Sequence, residues 1–334
     1  MNILFTGAAG YVGSQTVHAL LKSKFASAAK IVVYDNLSTG FVVSIPAQAQ
    51  FIQGDIRDTE KLSKCLIEFK IDTVIHFAAK LIVPESVKKP IEYYDNNVAG
   101  TISLIQACKN AKVTQIIFSS SGAVYGEPLT SENFKESDLT SPINPYGQSK
   151  LMAEKIITAS EADFGMRSVC LRYFNVAGAA ADRKNGQLTK NATHLIHLAS
   201  QTALGFRSCL DIFGSDFSTP DGTGVRDYIH VEDLADLHIL ALSHIRNSGN
   251  SQILNCGYGH GFSVNEVITT MKKISGVNFE TRQQPRRAGD PSRLVANAEK
   301  IKSLFNWKPR FDDLEFICKS AWEWEKIKPV AINS

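Results

Sequence analysis

Six short runs rich in β-branched and aromatic residues, NILFT, KIVVYD, QFIQGD, DTVIHFA, QIIFSSS and SVCLRYF, punctuate the first half of the chain. Between them lie longer segments of helical character, so strand and helix alternate. That order predicts a parallel sheet wound on both faces by helices, with ligands bound at the carboxyl ends of the strands. After Asn175 the texture changes. Glycine, asparagine and basic residues crowd GAAADRKNGQ, helical spacing returns in THLIHLASQTAL, and CLDIF follows. RDYIHVEDLADLHILAL and SQILNCG read as two returns to the main sheet, and VNEVITTMKKIS, NAEKIKSLF and LEFICKSAWEWEKI read as closing amphipathic helices. The pattern predicts an α/β protein: a doubly wound parallel sheet over residues 1–175, completed by parts of about 226–257, and a smaller C-terminal α/β substrate domain built mainly from 176–334.

Composition narrows the classes. With 44% apolar and 21% charged residues in a 334-residue chain, a soluble globular protein is expected. A net charge of +3, with its basic residues scattered, gives no argument for a nucleic-acid footprint, and no nucleic-acid partner is expected. The six cysteines show no CxxC or Cys/His spacing, so no metal site is expected and a reducing compartment suits the chain. No apolar run approaches the ~18 residues of a membrane span. MNILFTG reads as a strand entering a glycine turn rather than as a leader, so a cytoplasmic location is expected, with no membrane partner.

The turn after the first strand, TGAAGYVG, carries Gly7, Gly10 and Gly13 and runs into a helical segment. Glycines there permit a tight turn and close approach of backbone to a pyrophosphate, whose charge then faces a helix N-terminus. Asp35 ends the second strand about 22 residues later, where a carboxylate accepts hydrogen bonds from an adenosine ribose. The same carboxylate repels a 2′-phosphate and no arginine follows in YDNLSTGF, so NAD is favoured over NADP. Asp55 after the third strand is placed to meet the adenine, and Phe77, Ala78, Ala79 and Lys80 end the fourth strand beside the same groove.

SPINPYGQSK supplies the chemistry. Pro145 suits the first turn of a helix, and Tyr146 and Lys150, four residues apart, share its face. Ser121, at the end of the fifth strand, converges with them. A neighbouring ammonium and a positive nicotinamide ring favour the phenolate of a tyrosine whose ordinary pKa is ~10. Tyr146 then takes a proton from an alcohol while NAD takes the hydride from the same carbon, and Ser121 holds the oxygen.

With these motifs the chain resembles the extended short-chain dehydrogenase/reductases, and within them the 4-epimerases of UDP-glucose and UDP-galactose. IDTVIHFAA, KPIEYYDNNVAGT, LRYFNVAGA, DGTGVRDYIHVEDLAD and RRAGD carry the resemblance over nearly the full length. It implies a Rossmann domain with a smaller UDP-sugar domain, a homodimer, and a role in galactose metabolism. The implied reaction is reversible inversion of C4 through a 4-keto sugar on tightly bound NAD. It extends the cofactor set to Tyr11, Val12, Asn36, Ile56, Asn96, Ser119 and Tyr173. It places Asn175, His194, Leu195 and Tyr228 at the sugar and diphosphate, Phe213 against the uracil, Arg226 and Arg287 on the diphosphate, and Asp290 on the uridine ribose.

The chain departs from the family pattern in four ways. Ala123 replaces a frequent threonine, Lys80 and Leu81 displace a cofactor lysine, and Thr193 and His194 stand where two asparagines are common. Leu294 replaces an aromatic residue beside the sugar C2 substituent, which predicts turnover of the UDP-N-acetylhexosamines as well. Two other readings compete. One is another nucleotide-sugar enzyme of the superfamily, a 4,6-dehydratase or a decarboxylase; the dehydratases carry an Asp-Glu pair after the catalytic Ser or Thr, where this chain has Gly122 and Ala123. The other is a cofactor-sensing regulator, which would lack Ser, Tyr or Lys, and all three are present.

Overall fold

The computed structural model describes residues 1–189 and 192–328. It begins with β1 (Asn2–Thr6), α1 (Tyr11–Lys22), β2 (Lys30–Asp35), β3 (Gln50–Gln53), α2 (Thr59–Glu68) and β4 (Thr73–His76). Two short helices, α3 (Val83–Lys88) and α4 (Pro90–Tyr93), pass through a π-helical turn, Tyr94–Ala99, into α5 (Gly100–Ala111), β5 (Gln115–Ser121), α6 (Pro145–Phe164) and β6 (Arg167–Tyr173). Next come β7 (Asn175–Ala177), α7 (Leu195–Ala203), β8 (Leu210–Phe213), β9 (Val225–Arg226), β10 (Tyr228–His230), α8 (Val231–Arg246) and β11 (Gln252–Cys256). The last elements are β12 (Phe262–Ser263), α9 (Val264–Ser275), β13 (Thr281–Gln284), β14 (Arg293–Leu294), α10 (Glu299–Phe305) and α11 (Leu314–Ile327).

The strand period of two decides the layers. In β1, Ile3 and Phe5 join one buried apolar cluster and Leu4 joins another, so each face of the sheet has its own core. Both faces must therefore be covered. α1 and α8 pack together on one, and α2, α5 and α6 on the other. The sheet is parallel throughout in the order β11-β6-β5-β4-β1-β2-β3, which is the Rossmann-like doubly wound arrangement. The chain winds outward from β1 to β3, then recrosses to β4 and winds the other way. The crevice at that reversal opens at the carboxyl ends of β1 and β4.

Of the two expected returns to the main sheet, one occurs. SQILNCG supplies β11, paired with β6 from Gln252↔Val169 to Cys256↔Tyr173. The strand in RDYIH stays out, because β5 and β11 already occupy both edges of β6. It pairs instead with β7, which runs on beyond β6, and the helix that follows it, α8, lies back against α1. Two small sheets, β12-β9-β14 and β13-β8, form the facing wall of the crevice.

α6 is sharply delimited. Asn144 caps it by accepting the Gly147 amide at 2.8 Å, Pro145 opens its first turn, and Gly165 ends it at φ 76°. No described helix is long and apolar enough to cross a membrane, and no described group of His, Cys, Asp and Glu could hold a metal ion.

Candidate active site

A cleft of about 660 Å³ follows the carboxyl ends of the strands and continues over β8, β9 and the segment before β14. Its first half is made of backbone. Gly7 turns with φ +74°, and a Cβ there would lie 2.4 Å from the Ala78 amide nitrogen. A Cβ on Gly13 would meet the Ala8 Cα at 2.6 Å. α1 then starts at Gly10 with neither a side-chain cap nor an acidic residue in its first turn, leaving its amides free for an anion. Asp35 accepts the Ala9 amide at 3.0 Å through Oδ2 and the Leu37 amide at 2.8 Å through Oδ1. Each oxygen keeps a lone pair for a ribose hydroxyl. These features fit a dinucleotide: a cradle that a Cβ would fill, an uncapped helix and a ribose acceptor. Tyr11, Val12, Asn36, Ile56, Phe77, Ala78, Ala79, Lys80, Asn96 and Tyr173 all line this half.

At its inner end Ser121 and Tyr146 meet. Both are buried, and Ser121 Oγ accepts the Ala123 amide at 3.1 Å. Burial pushes the Tyr146 phenol up, and its hydrogen bond with Ser121 pulls it down. Lys150 sits behind the lining. Its Nζ donates to the Ser119 carbonyl at 2.8 Å and lies 4.9 Å from the Phe118 ring centre. Burial lowers its pKa to about 7, against the pull of the Glu154 carboxylate one turn along α6. Glu154 is itself paired with Arg172 of β6 at 2.7 Å, both almost wholly buried, and Ser120 donates to it. The ammonium thus rests on a strand carbonyl, because a buried cation must have its donors satisfied.

The second half is made of side chains. Arg287 pairs with Asp290 at 2.7 Å and lies 4.7 Å from the Phe213 ring centre. Among the described residues Arg226 donates to carbonyls alone, of Pro291 at 2.7 Å, Val225 at 2.9 Å and Ser292 at 3.4 Å, and burial lowers its pKa. A half-buried guanidinium with no carboxylate partner among the described residues favours an anionic ligand. Asn175, Leu195 and Tyr228 line the wall nearby. His194 is next to them, within 2.6 Å of the Gln187 side chain, and burial holds its pKa down to about 4. Leu294 reaches the cleft from a buried cluster with Val124, Tyr125, Phe134, Leu151, Phe174 and Ala296.

Two expected cofactor residues stand apart. Asp55 sits at the rim between the lining residues Gly54 and Ile56, its carboxylate paired with Arg57 at 2.7 Å and accepting from Asn36 at 3.1 Å. Ser119 lies two residues deeper in β5 than Ser121, under α8, with its hydroxyl 2.9 Å from His238 Nε2. Sequence reasoning also passed over Asn97. Its side chain holds both backbone groups of Lys80, at 2.8 and 3.0 Å, and reaches Ser149 of α6 at 2.9 Å. The available signal was NN within KPIEYYDNNVAGT, of which only Asn96 was read. The π-helical turn places both asparagines, as such turns often do at functional sites.

Comparison with known proteins agrees with this geometry. Residues 3–257 match the NAD dependent epimerase/dehydratase family. A UDP-glucose 4-epimerase of Azospirillum brasilense is 48% identical, covering 97% of this chain and 92% of its own. The UDP-glucose 4-epimerase of Brucella ovis in complex with NAD superposes with a TM-score of 0.91 at 39% identity, over 96% of this chain and 97% of that one. The UDP-Glc/GlcNAc 4-epimerase of Campylobacter jejuni gives 0.83 at 45% identity, over 97% and 99%. With a crevice at the sheet reversal, a glycine cradle and a Ser-Tyr-Lys cluster at its inner end, the chain belongs to the NAD dependent epimerase/dehydratase family.

Proposed function

We propose that this protein interconverts UDP-glucose and UDP-galactose by inverting C4 of the hexose, with NAD as a resident cofactor. The observation that carries the reading is the position of Ser121 and Tyr146, where the backbone-built half of the cleft meets the arginine-built half. Gly7, Gly10, Gly13 and the α1 amides would hold the pyrophosphate of NAD, and Asp35 its adenosine ribose. Bound NAD supplies the oxidising and reducing power at C4 and a positive charge beside the phenol. Tyr146 takes the proton from the C4 hydroxyl and returns it after the 4-keto sugar has turned over in the pocket. Ser121 holds the oxygen in both stages. Lys150, one turn along α6 from Tyr146, would favour the phenolate when it carries its charge. Arg226 and Arg287 would take the diphosphate, Phe213 the uracil, and Asp290 the uridine ribose once it leaves Arg287.

In this reading residues 1–175, with parts of about 226–257, form the NAD domain and most of 176–334 the UDP-sugar domain. A cytoplasmic homodimer is part of the same proposal, supported by the exposed Ile102 of α5 and Met152 of the adjacent α6. Purified protein given UDP-galactose should form UDP-glucose with no added cofactor. Absence of conversion while NAD is retained would favour a cofactor sensor instead.

The reading extends to UDP-N-acetylglucosamine and UDP-N-acetylgalactosamine. Leu294 supports it, being shorter than an aromatic ring at the C2 side of the sugar, and so does the likeness to the Campylobacter jejuni enzyme. Leu294→Tyr should lower N-acetyl turnover by a larger factor than UDP-galactose turnover. Equal losses on a panel of UDP-sugars would remove Leu294 from the argument.

A further inference from the structure

Asn144 bonds to both halves of the cleft. Its Oδ1 caps α6 on the Gly147 amide, and its Nδ2 donates to the Gly289 carbonyl at 3.0 Å. The side chain is buried, so neither bond competes freely with water. Gly289 belongs to a four-residue turn, Arg287 to Asp290, closed by the Asp290 amide on the Arg287 carbonyl at 3.3 Å. Its φ of +85° is a left-handed conformation that glycine adopts without steric cost. A Cβ on Gly289 would stand 3.0 Å from the Asn144 Cβ, so turn and cap touch directly.

The first and last residues of that turn, Arg287 and Asp290, are the ones read above as holding the nucleotide. The helix that Asn144 caps carries Tyr146 in its first turn. One side chain therefore bridges the group that anchors the uridine diphosphate and the group that moves the proton. We propose that Asn144 is a positioning residue for the reaction, an inference that rests on the UDP-sugar reading. An amide suits the place because it accepts on one side and donates on the other. A carboxylate keeps the cap and loses the donor, and a serine keeps the cap and falls short of Gly289.

A second tie shows what Asn144 is not needed for. Ser292, just beyond the turn, donates its amide to Glu127 at 3.1 Å, so the segment stays docked without Asn144. The nucleotide should then bind as before while its sugar arrives out of line with Tyr146.

The test uses Asn144→Asp and Asn144→Ser in the NAD-loaded enzyme, since both retain an oxygen that caps α6. Expected is a fall in kcat on UDP-galactose of roughly tenfold or more in both variants, as displacements near 1 Å can lose about 100-fold. The dissociation constant for UDP by calorimetry should stay within about threefold, with bound NAD and Tm near wild type. Two results would overturn the proposal: kcat within about twofold of wild type in both variants, or UDP affinity falling by the same factor as kcat. Lack of UDP-galactose turnover in the wild type would instead overturn the functional reading.

Discussion

The two halves of the cleft, each proposed above to hold a diphosphate, are built of different materials. Around Gly7 and Gly13 the walls are backbone, packed so closely that a single Cβ would overlap a neighbour. Around Arg226 and Arg287 they are long charged side chains, and Arg287 is already paired with Asp290. Backbone in a tight turn has no alternative partner, so that half is preformed. A guanidinium can exchange one carboxylate for one phosphate, so the other half can release what it binds. The contrast suits a cofactor that stays and a substrate that turns over.

The sharpest way to separate the halves is to cut at their seam. Tyr146→Phe removes the proton carrier and nothing else that either half uses, so turnover should fall ~10²–10⁴-fold with NAD content and UDP affinity intact. Loss of NAD in that variant would mean that the halves are not independent. Arg287→Ala should act on one side alone: UDP affinity should drop roughly 10–100-fold by calorimetry, the worth of bonds to a charged group, while NAD remains. Gly7→Ala should do the reverse. Its φ of +74° implies about 1–3 kcal/mol of strain besides the overlap with Ala78, so NAD should be lost and Tm lowered by several degrees, while UDP still binds. An NAD-replete Gly7→Ala protein would contradict a preformed cradle.

The smallest effect concerns the buried ammonium between the halves. The folded pKa of Lys150 is about 7 against an ordinary 10.5. Between those values the unfolded chain holds a proton that the folded protein has released, so stability rises with pH across that window. Below it the destabilisation by the buried ammonium is fully present. Lys150→Met should therefore raise Tm by a few degrees near pH 7, with a gain that shrinks as pH approaches 10.5. A gain independent of pH would show that Lys150 is not desolvated as described.

What the sequence disclosed follows the same division. Strand alternation, the glycine turn, Asp35 and the four-residue step from Tyr146 to Lys150 are local patterns, and local patterns are written in consecutive residues. The bond from Asn144 to Gly289 joins residues 145 apart, and the Lys150 to Ser119 bond runs against chain direction between helix and strand. Neither leaves a periodic trace. The strand in RDYIH lies outside the main sheet for a related reason: its apolar pattern fits a sheet, but which sheet depends on whether β6 has a free edge. Asp55 and Ser119 are strand-end residues by position, and their pairing with Arg57 and His238 is a long-range or side-chain detail that position does not carry.

The pairing of β11 with β6 bears on how the protein is made. Gln252 lies opposite Val169, a separation of 252 − 169 = 83 residues. During synthesis at about 5–20 residues per second, the edge of β6 waits roughly 4–17 s for its neighbour. All that time it presents unpaired backbone to other nascent chains. Truncations between the two strands would strand that edge permanently, so aggregation rather than a free-standing NAD domain is the expected fate of such fragments.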